Sequence, residues 1–189
     1  MRLLRIDDYQ SWCICTSSAS VLVDPWLIGD MNVGPGWFFR RSFDERAGHS
    51  SVVPRCDALV ITAPFGDHLH APSLSLLPKT IPVWTTQACI RALQKLGFER
   101  VEMLAVDSST EVVSGISMRA VPSGRPYGDT SMGVMVGATG GASAIYPEPH
   151  TFDMESLESL TEAPTVVLAP LEQVTLFSKR FAMGPGVLA

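Results

Sequence analysis

Two short segments gather the side chains in this sequence that could do chemistry: Asp67-His68-Leu69-His70 and Tyr146-Pro147-Glu148-Pro149-His150. Carboxylates and imidazoles are the donors that hard and borderline divalent cations prefer, and two or three of them on one loop can close on an ion if a second loop supplies the rest. Together the segments offer Asp67, His68, His70, Glu148 and His150 as metal ligands. Three of the four histidines in the chain lie within them, a grouping that favours a shared task over scattered core roles. The same residues also have a structural alternative, with Asp67 capping a turn, His68 a hydrogen-bonded core histidine, and Glu148 and His150 an ion pair held between prolines.

Each segment follows an apolar run that reads as a strand, over residues 57–62 and 143–146, and strand ends are where α/β sheets present their sites. Similar runs bounded by turn residues predict strands over 12–16, 20–24, 81–84, 100–104, 116–121, 132–136 and 165–169. A short helix is expected over 73–77, started by Pro72, and a longer one over 87–96. The longer helix has Thr86 as N-cap, Ile90, Leu93 and Leu96 as its apolar stripe, and Gly97 at the stop position. A third helix is expected over 151–160, with Met154, Leu157 and Leu160 on one face and Pro164 beyond it. Residues 29–48 place Trp37, Phe38, Phe39 and Phe43 after Gly34-Pro35-Gly36 with no steady period, which reads as a long loop, either functional or covering a sheet edge. Residues 137–141 read as a hairpin connection, since a phosphate loop needs a Gly-Lys-Ser/Thr ending and a following helix.

A chain of 189 residues suits one domain, residues 1–189, and 46% hydrophobic with 17% charged residues excludes disorder. The net charge of −5, with no basic cluster longer than Arg40-Arg41 or Lys179-Arg180, argues against nucleic acid as a partner. Asp7 and Asp8 come too early for a signal peptide, and no apolar run approaches the ~18–20 residues a bilayer needs, so a cytoplasmic protein with no membrane partner is expected. Four cysteines are too few for a disulfide scaffold. Cys13 and Cys15 share one face of a strand, where they are either buried or a metal-binding pair. The order of strands and helices suggests an α/β fold built as two sheets with helices outside, a four-layer αββα sandwich.

The stretch Leu22-Val23-Asp24-Pro25-Trp26, then a strand ending Ile61-Thr62, then Asp67-His68-Leu69-His70, resembles the opening half of the metallo-β-lactamase fold hydrolases. In that family the strand leads into His-x-His-x-Asp-His, which holds one or two zinc ions that activate a water. Laid on this chain, the signature covers residues 63–68; Ala63 and Phe65 stand where the first two histidines would be, and only Asp67 and His68 remain. The resemblance further implies a histidine near Val121-Pro122-Ser123-Gly124, where Ser123 or Gly124 stands, and a bridging aspartate near Glu148. It also implies a last histidine after His150, and none follows. The pattern is nearest to a subgroup that keeps Asp-His-x-His and a Tyr-x-Glu-Pro-His segment, and the likeness runs over residues 12–184.

A site without those histidines loses the usual first zinc position, while Asp67, His68, Glu148 and either His70 or His150 could hold one divalent ion, Zn²⁺, Mn²⁺ or Fe²⁺. The expected function is then hydrolysis of a small ester, amide or phosphodiester by activated water, with Asp67 as general base. The alternative is a metal-free, non-catalytic descendant of the fold that binds a small ligand or a protein. Ser123 is a nucleophile candidate by position only. A homodimer formed through the apolar C-terminal end, residues 181–189, is a third expectation.

Overall fold

The computed structural model describes residues 1–7, 10–32, 40–41, 55–106, 108–138, 144–147, 155, 158, 165–168, 172–176 and 179–183. Strands β1 (Arg2–Arg5), β2 (Trp12–Cys15) and β3 (Ser20–Val23) form an antiparallel meander. A two-stranded ladder of β4 (Met31–Asn32) and β5 (Arg40–Arg41) follows, within the stretch expected to be irregular. The chain then returns as β6 (Ala58–Ile61), β7 (Val83–Thr85) and β8 (Val101–Met103), which extend the meander in parallel to give one six-stranded sheet, β1-β2-β3-β6-β7-β8. Parallel neighbours need crossovers. Helix α1 (Ala71–Ser75) lies in the β6–β7 connection and α2 (Gln87–Lys95) in the β7–β8 connection.

The second sheet contains β9 (Thr110–Val113), β10 (Ile116–Pro122), β11 (Met132–Ala138), β12 (Ala144–Pro147) and β13 (Val166–Leu168), in the order β13-β12-β11-β10-β9. All its pairings are antiparallel except β12 with β13. Strands β14 (Glu172–Leu176) and β15 (Lys179–Met183) form a separate antiparallel pair within the segment expected to end in an apolar tail.

Side chains alternate across a strand, so one strand can serve two cores. In β3, Val21 and Val23 face the second sheet while Leu22 faces the helices; in β6, Ala58 and Val60 face inward and Leu59 and Ile61 outward. The inter-sheet core joins Ile14, Val21, Val23 and Val60 to Ile116, Met118, Val134 and Val136. The outer core sets Leu22, Leu59 and Ile61 beneath Leu74, Cys89 and Leu93. Each fully buried Val, Leu or Ile is worth about 1.5–3 kcal/mol, so the two-sided first sheet dominates the folding free energy of the described residues.

Helix α2 differs in detail from its expected stripe. Cys89 and Leu93, one turn apart, are its buried residues, and Thr86 stands at the N-cap without capping, its hydroxyl reaching Cys89 Sγ and the Thr130 carbonyl instead. Gly97 ends the helix at φ +90, a conformation that a side chain would oppose. Of the helix expected over 151–160, only Glu155 and Glu158 are described, and both are helical.

Candidate functional site

Strands β3 and β6 are parallel neighbours, so the residues just past their C-terminal ends, Asp24 and Thr62, are brought side by side. Asp24 adopts φ 43, in the left-handed region that Asp tolerates better than most residues, and its N–H donates to the Val60 carbonyl at 3.0 Å. That turn aims its carboxylate across the strand ends. Oδ1 accepts the Thr62 N–H at 2.8 Å, and Oδ2 accepts both the Thr62 hydroxyl and His68 Nδ1, the latter at 2.7 Å.

His68 is fully buried and Asp24 is 4% exposed, so neither charge nor polarity is offset by water. A carboxylate only accepts, so the His68 proton sits on Nδ1. In a neutral ring the basic nitrogen is then Nε2, which lies 3.8 Å from Asp67 Oδ2. The main chain of the loop is fixed as well: His68 and Leu69 both donate N–H groups to the Phe65 carbonyl, and Gln10 Nε2 donates to the Asp67 carbonyl at 2.8 Å.

The N-terminal segment braces this arrangement from behind. Ser11 accepts the Trp26 N–H at 2.8 Å, its hydroxyl lies 2.7 Å from the Asp24 carbonyl, and the buried Asp7 carboxylate accepts its N–H at 2.9 Å and its hydroxyl. Asp24, Thr62, Ser11 and Asp7 carry the geometry of the loop, and composition and spacing singled out none of them as site residues. A polar residue ending a buried apolar strand, as Asp24 and Thr62 both do, is the signal that could have found two of them.

His70 is built differently. Ser73 Oγ accepts the Leu27 N–H at 2.7 Å and shares a hydrogen bond with His70 Nδ1, 2.8 Å away. The ring also bonds the Asp30 main chain and packs edge-on against Trp26 at 6.4 Å between centroids. Burial lowers the His70 pKa below 6.5, with the Asp30 bond opposing part of that shift, so the ring is held neutral. It ties the loop to the Trp26–Asp30 segment.

Opposite the loop, Thr62 accepts the Met132 N–H at 3.0 Å, which places the site at the joint between the two sheets. Phe65 stands edge-on to His68 at 6.3 Å and to Tyr127 at 5.5 Å, and Ala63 is wholly buried. Ser123 is buried and accepts the Ser131 hydroxyl at 2.8 Å. Among the described residues no side chain but Ser131 is hydrogen-bonded to Ser123. Glu148 and His150 lie outside the described residues, immediately beyond β12.

Two bonds of about 2.1 Å to one ion hold its donor atoms no more than about 4.2 Å apart, and the 3.8 Å between Asp67 Oδ2 and His68 Nε2 falls inside that span. An imidazole that gives its other N–H to a carboxylate is also the usual posture of a metal-binding histidine. The pair therefore fits one divalent ion as half of a ligand set. Among the described residues no group of three or more such side chains comes together.

No protein-family model matches the sequence, and no curated protein does. Solved structures do. The isothiocyanate hydrolase from Delia radicum gut bacteria aligns with a TM-score of 0.62 at 18% identity, over 88% of this chain and 70% of its own. A metallo hydrolase from the hyperthermophilic archaeon Ignicoccus hospitalis aligns at 0.60 and 16%, over 87% and 68%. The metallo-β-lactamase fold protein YhfI from Bacillus subtilis aligns at 0.54 and 13%, over 79% and 59%. The chain has the metallo-β-lactamase fold, the αββα sandwich that the order of its strands and helices suggested. It spans between 59% and 70% of the length of these structures. No described helix is long and apolar enough to cross a membrane.

Proposed function

We propose that this chain is a metal-dependent hydrolase with a reduced, single-ion site, acting on a small ester, amide or phosphodiester. Asp67 and His68 hold the ion, and Glu148 and His150, which follow β12 in the sequence, complete the set. His70 is assigned to support, because its ring is hydrogen-bonded both to the Ser73 hydroxyl through Nδ1 and to the Asp30 main chain. The observation that carries the reading is the Asp24–His68 bond, which puts the proton on Nδ1 and leaves Nε2 beside Asp67.

A bound divalent ion supplies Lewis acidity and a water more acidic than bulk. The chain's own residues do the rest. Asp24 and Thr62 hold the His68 ring in one orientation, Gln10 fixes the Asp67 main chain, and Asp67 is the carboxylate placed to take a proton. Phe65 and Tyr127 form an apolar wall that limits water on one side.

A second reading draws on that same wall. With Ala63 and Phe65 in the signature, the Phe65 and Tyr127 rings suit a metal-free module that binds a small ligand against aromatic surface. Elemental analysis of protein never exposed to chelators separates the two, made alongside His68→Ala with its fold checked by circular dichroism. Stoichiometric metal that falls away in a folded variant supports the hydrolase. A folded wild-type protein without divalent metal, or divalent metal retained in the variant, rejects it in favour of the binding module.

A further inference from the structure

At the other end of the first sheet, β2 carries two thiols on its helix-facing side. Cys13 and Cys15 alternate with Ile14, and their sulfurs lie 3.4 Å apart. Cys13 is 2% exposed within the outer core, and Cys15 is partly exposed at its margin. Cys15 pairs with Ser20 and Cys13 with Leu22, four and two residues before Asp24, so the two positions lie about 13 Å and about 7 Å along the strands from Asp24.

We propose that Cys13 and Cys15 form a second, independent site that binds one soft, thiophilic d¹⁰ cation of the monovalent copper class. Two features select that class. Thiolates favour soft ions such as Cu(I), and no group of three or more metal-capable side chains exists among the described residues to complete the four ligands of a structural zinc. A monovalent ion is satisfied by a thiolate pair, and a low charge is the least costly to bring to the edge of an apolar core.

The geometry requires little adjustment. Two metal–sulfur bonds of about 2.3 Å span from about 3.8 Å in a tetrahedral angle to about 4.6 Å in a line. The 3.4 Å gap has to widen by about 0.4–1.2 Å to reach that span, and Cys15 is the partly exposed member of the pair. Binding replaces both S–H protons, which leave to solvent, and forms two sulfur–metal bonds with no change of oxidation state.

The surroundings also favour a cation. Burial, the Cys15 hydrogen bond, and the negative charge that Cys15, Cys56 and Asp57 can place nearby push the Cys13 thiol up to about 12. Of these causes, the Asp57 charge is the one that also draws a positive ion toward the pair. Free of metal, Cys13 stays protonated.

The test is an anaerobic titration of the fully reduced, full-length chain with Cu(I) held by a chromophoric chelator. The expected result is a single ion drawn from the chelator per chain, with a thiolate-to-copper absorption band in the near ultraviolet that a histidine site does not give. Cys15→Ser, at a partly exposed position, should keep its circular dichroism and bind more weakly by well over about tenfold, the least that loss of a mere supporting partner costs a metal site. Cys89→Ser, which removes a thiol from α2, should bind as the wild type does. Failure of the wild type to take copper from the chelator overturns the proposal, as do binding unchanged in Cys15→Ser and binding lost in a folded Cys89→Ser.

Discussion

Two buried regions of this molecule are held by opposite means. Between the sheets, Ile14, Val21, Val23, Val60, Ile116, Met118 and Val134 meet with no polar side chain among them. At the strand ends a few ångströms away, Asp7, Ser11, Asp24, Thr62 and His68 are just as buried, yet each is tied by hydrogen bonds. The apolar core is tolerant, because losing a methyl group costs only transfer energy and a small cavity. The polar cluster is not, because removing one member strands the others without water. A cluster so costly to maintain, at the end of parallel strands, is a place where sequence serves function before stability.

The largest expected effect follows from Asp24. Asp24→Ala removes the carboxylate that accepts the Thr62 N–H, the Thr62 hydroxyl and His68 Nδ1, keeps only the 2.9 Å contact of that hydroxyl with Nδ1 among these bonds, and puts a β-carbon with no compensating polar group at φ 43, so urea unfolding should show a loss of about 3–5 kcal/mol. Asp24→Asn, which tolerates that backbone and retains one acceptor oxygen, should lose distinctly less. If both variants unfold like the wild type, the contrast between the two regions collapses.

The apolar side is probed by Ile116→Val, one methyl removed from a fully buried position facing the first sheet, with an expected loss of about 1 kcal/mol in the same assay. A loss as large as that of Asp24→Ala would mean that the inter-sheet core is the more rigid of the two.

A smaller effect appears with pH. His70 is neutral when folded and its pKa lies below 6.5, whereas the unfolded chain takes up the proton near 6.5. The unfolded state therefore binds more protons in that window, and stability should fall as pH drops below 6.5. His70→Gln should flatten this slope, read as unfolding midpoints from pH 7 to 5. An unchanged slope in the variant would assign the acid sensitivity to another group.

Periodicity, buried apolar runs and turn residues made β2, β3, β6, β10, β11 and α2 legible, because each carries several buried side chains in a short stretch. β1 was not, since Arg2-Leu3-Leu4-Arg5 is an edge strand with little buried surface and a charge at each end. β9 was hidden for a similar reason: Thr110-Glu111-Val112-Val113 offers a single buried side chain, Val112. Spacing drew attention to Asp67 and His68, and the structure sets them side by side. What no spacing could reveal is that Asp24 and His68 bond across 44 positions, since only the β3–β6 pairing brings them together. His70 looked like an equal partner of His68 two residues away, and its engagement by Ser73 and Asp30 depends on a turn no local pattern encodes.

The pairing of β3 with β6 has one more consequence. Hydrogen bonds close it at both ends, Ser20 to Asp57 across 37 positions and Asp24 to Thr62 across 38, so the chain between is an excursion pinned at its base. Closure entropy grows only with the logarithm of length, and doubling such an excursion costs about 0.6 kcal/mol. Changes of length after β5 therefore cost the sheet beneath little, whereas Trp26 to Asp30, bonded to Ser11, Ser73 and His70, have to stay as they are, which makes the stretch after β5 the natural graft point for a new specificity on an old scaffold.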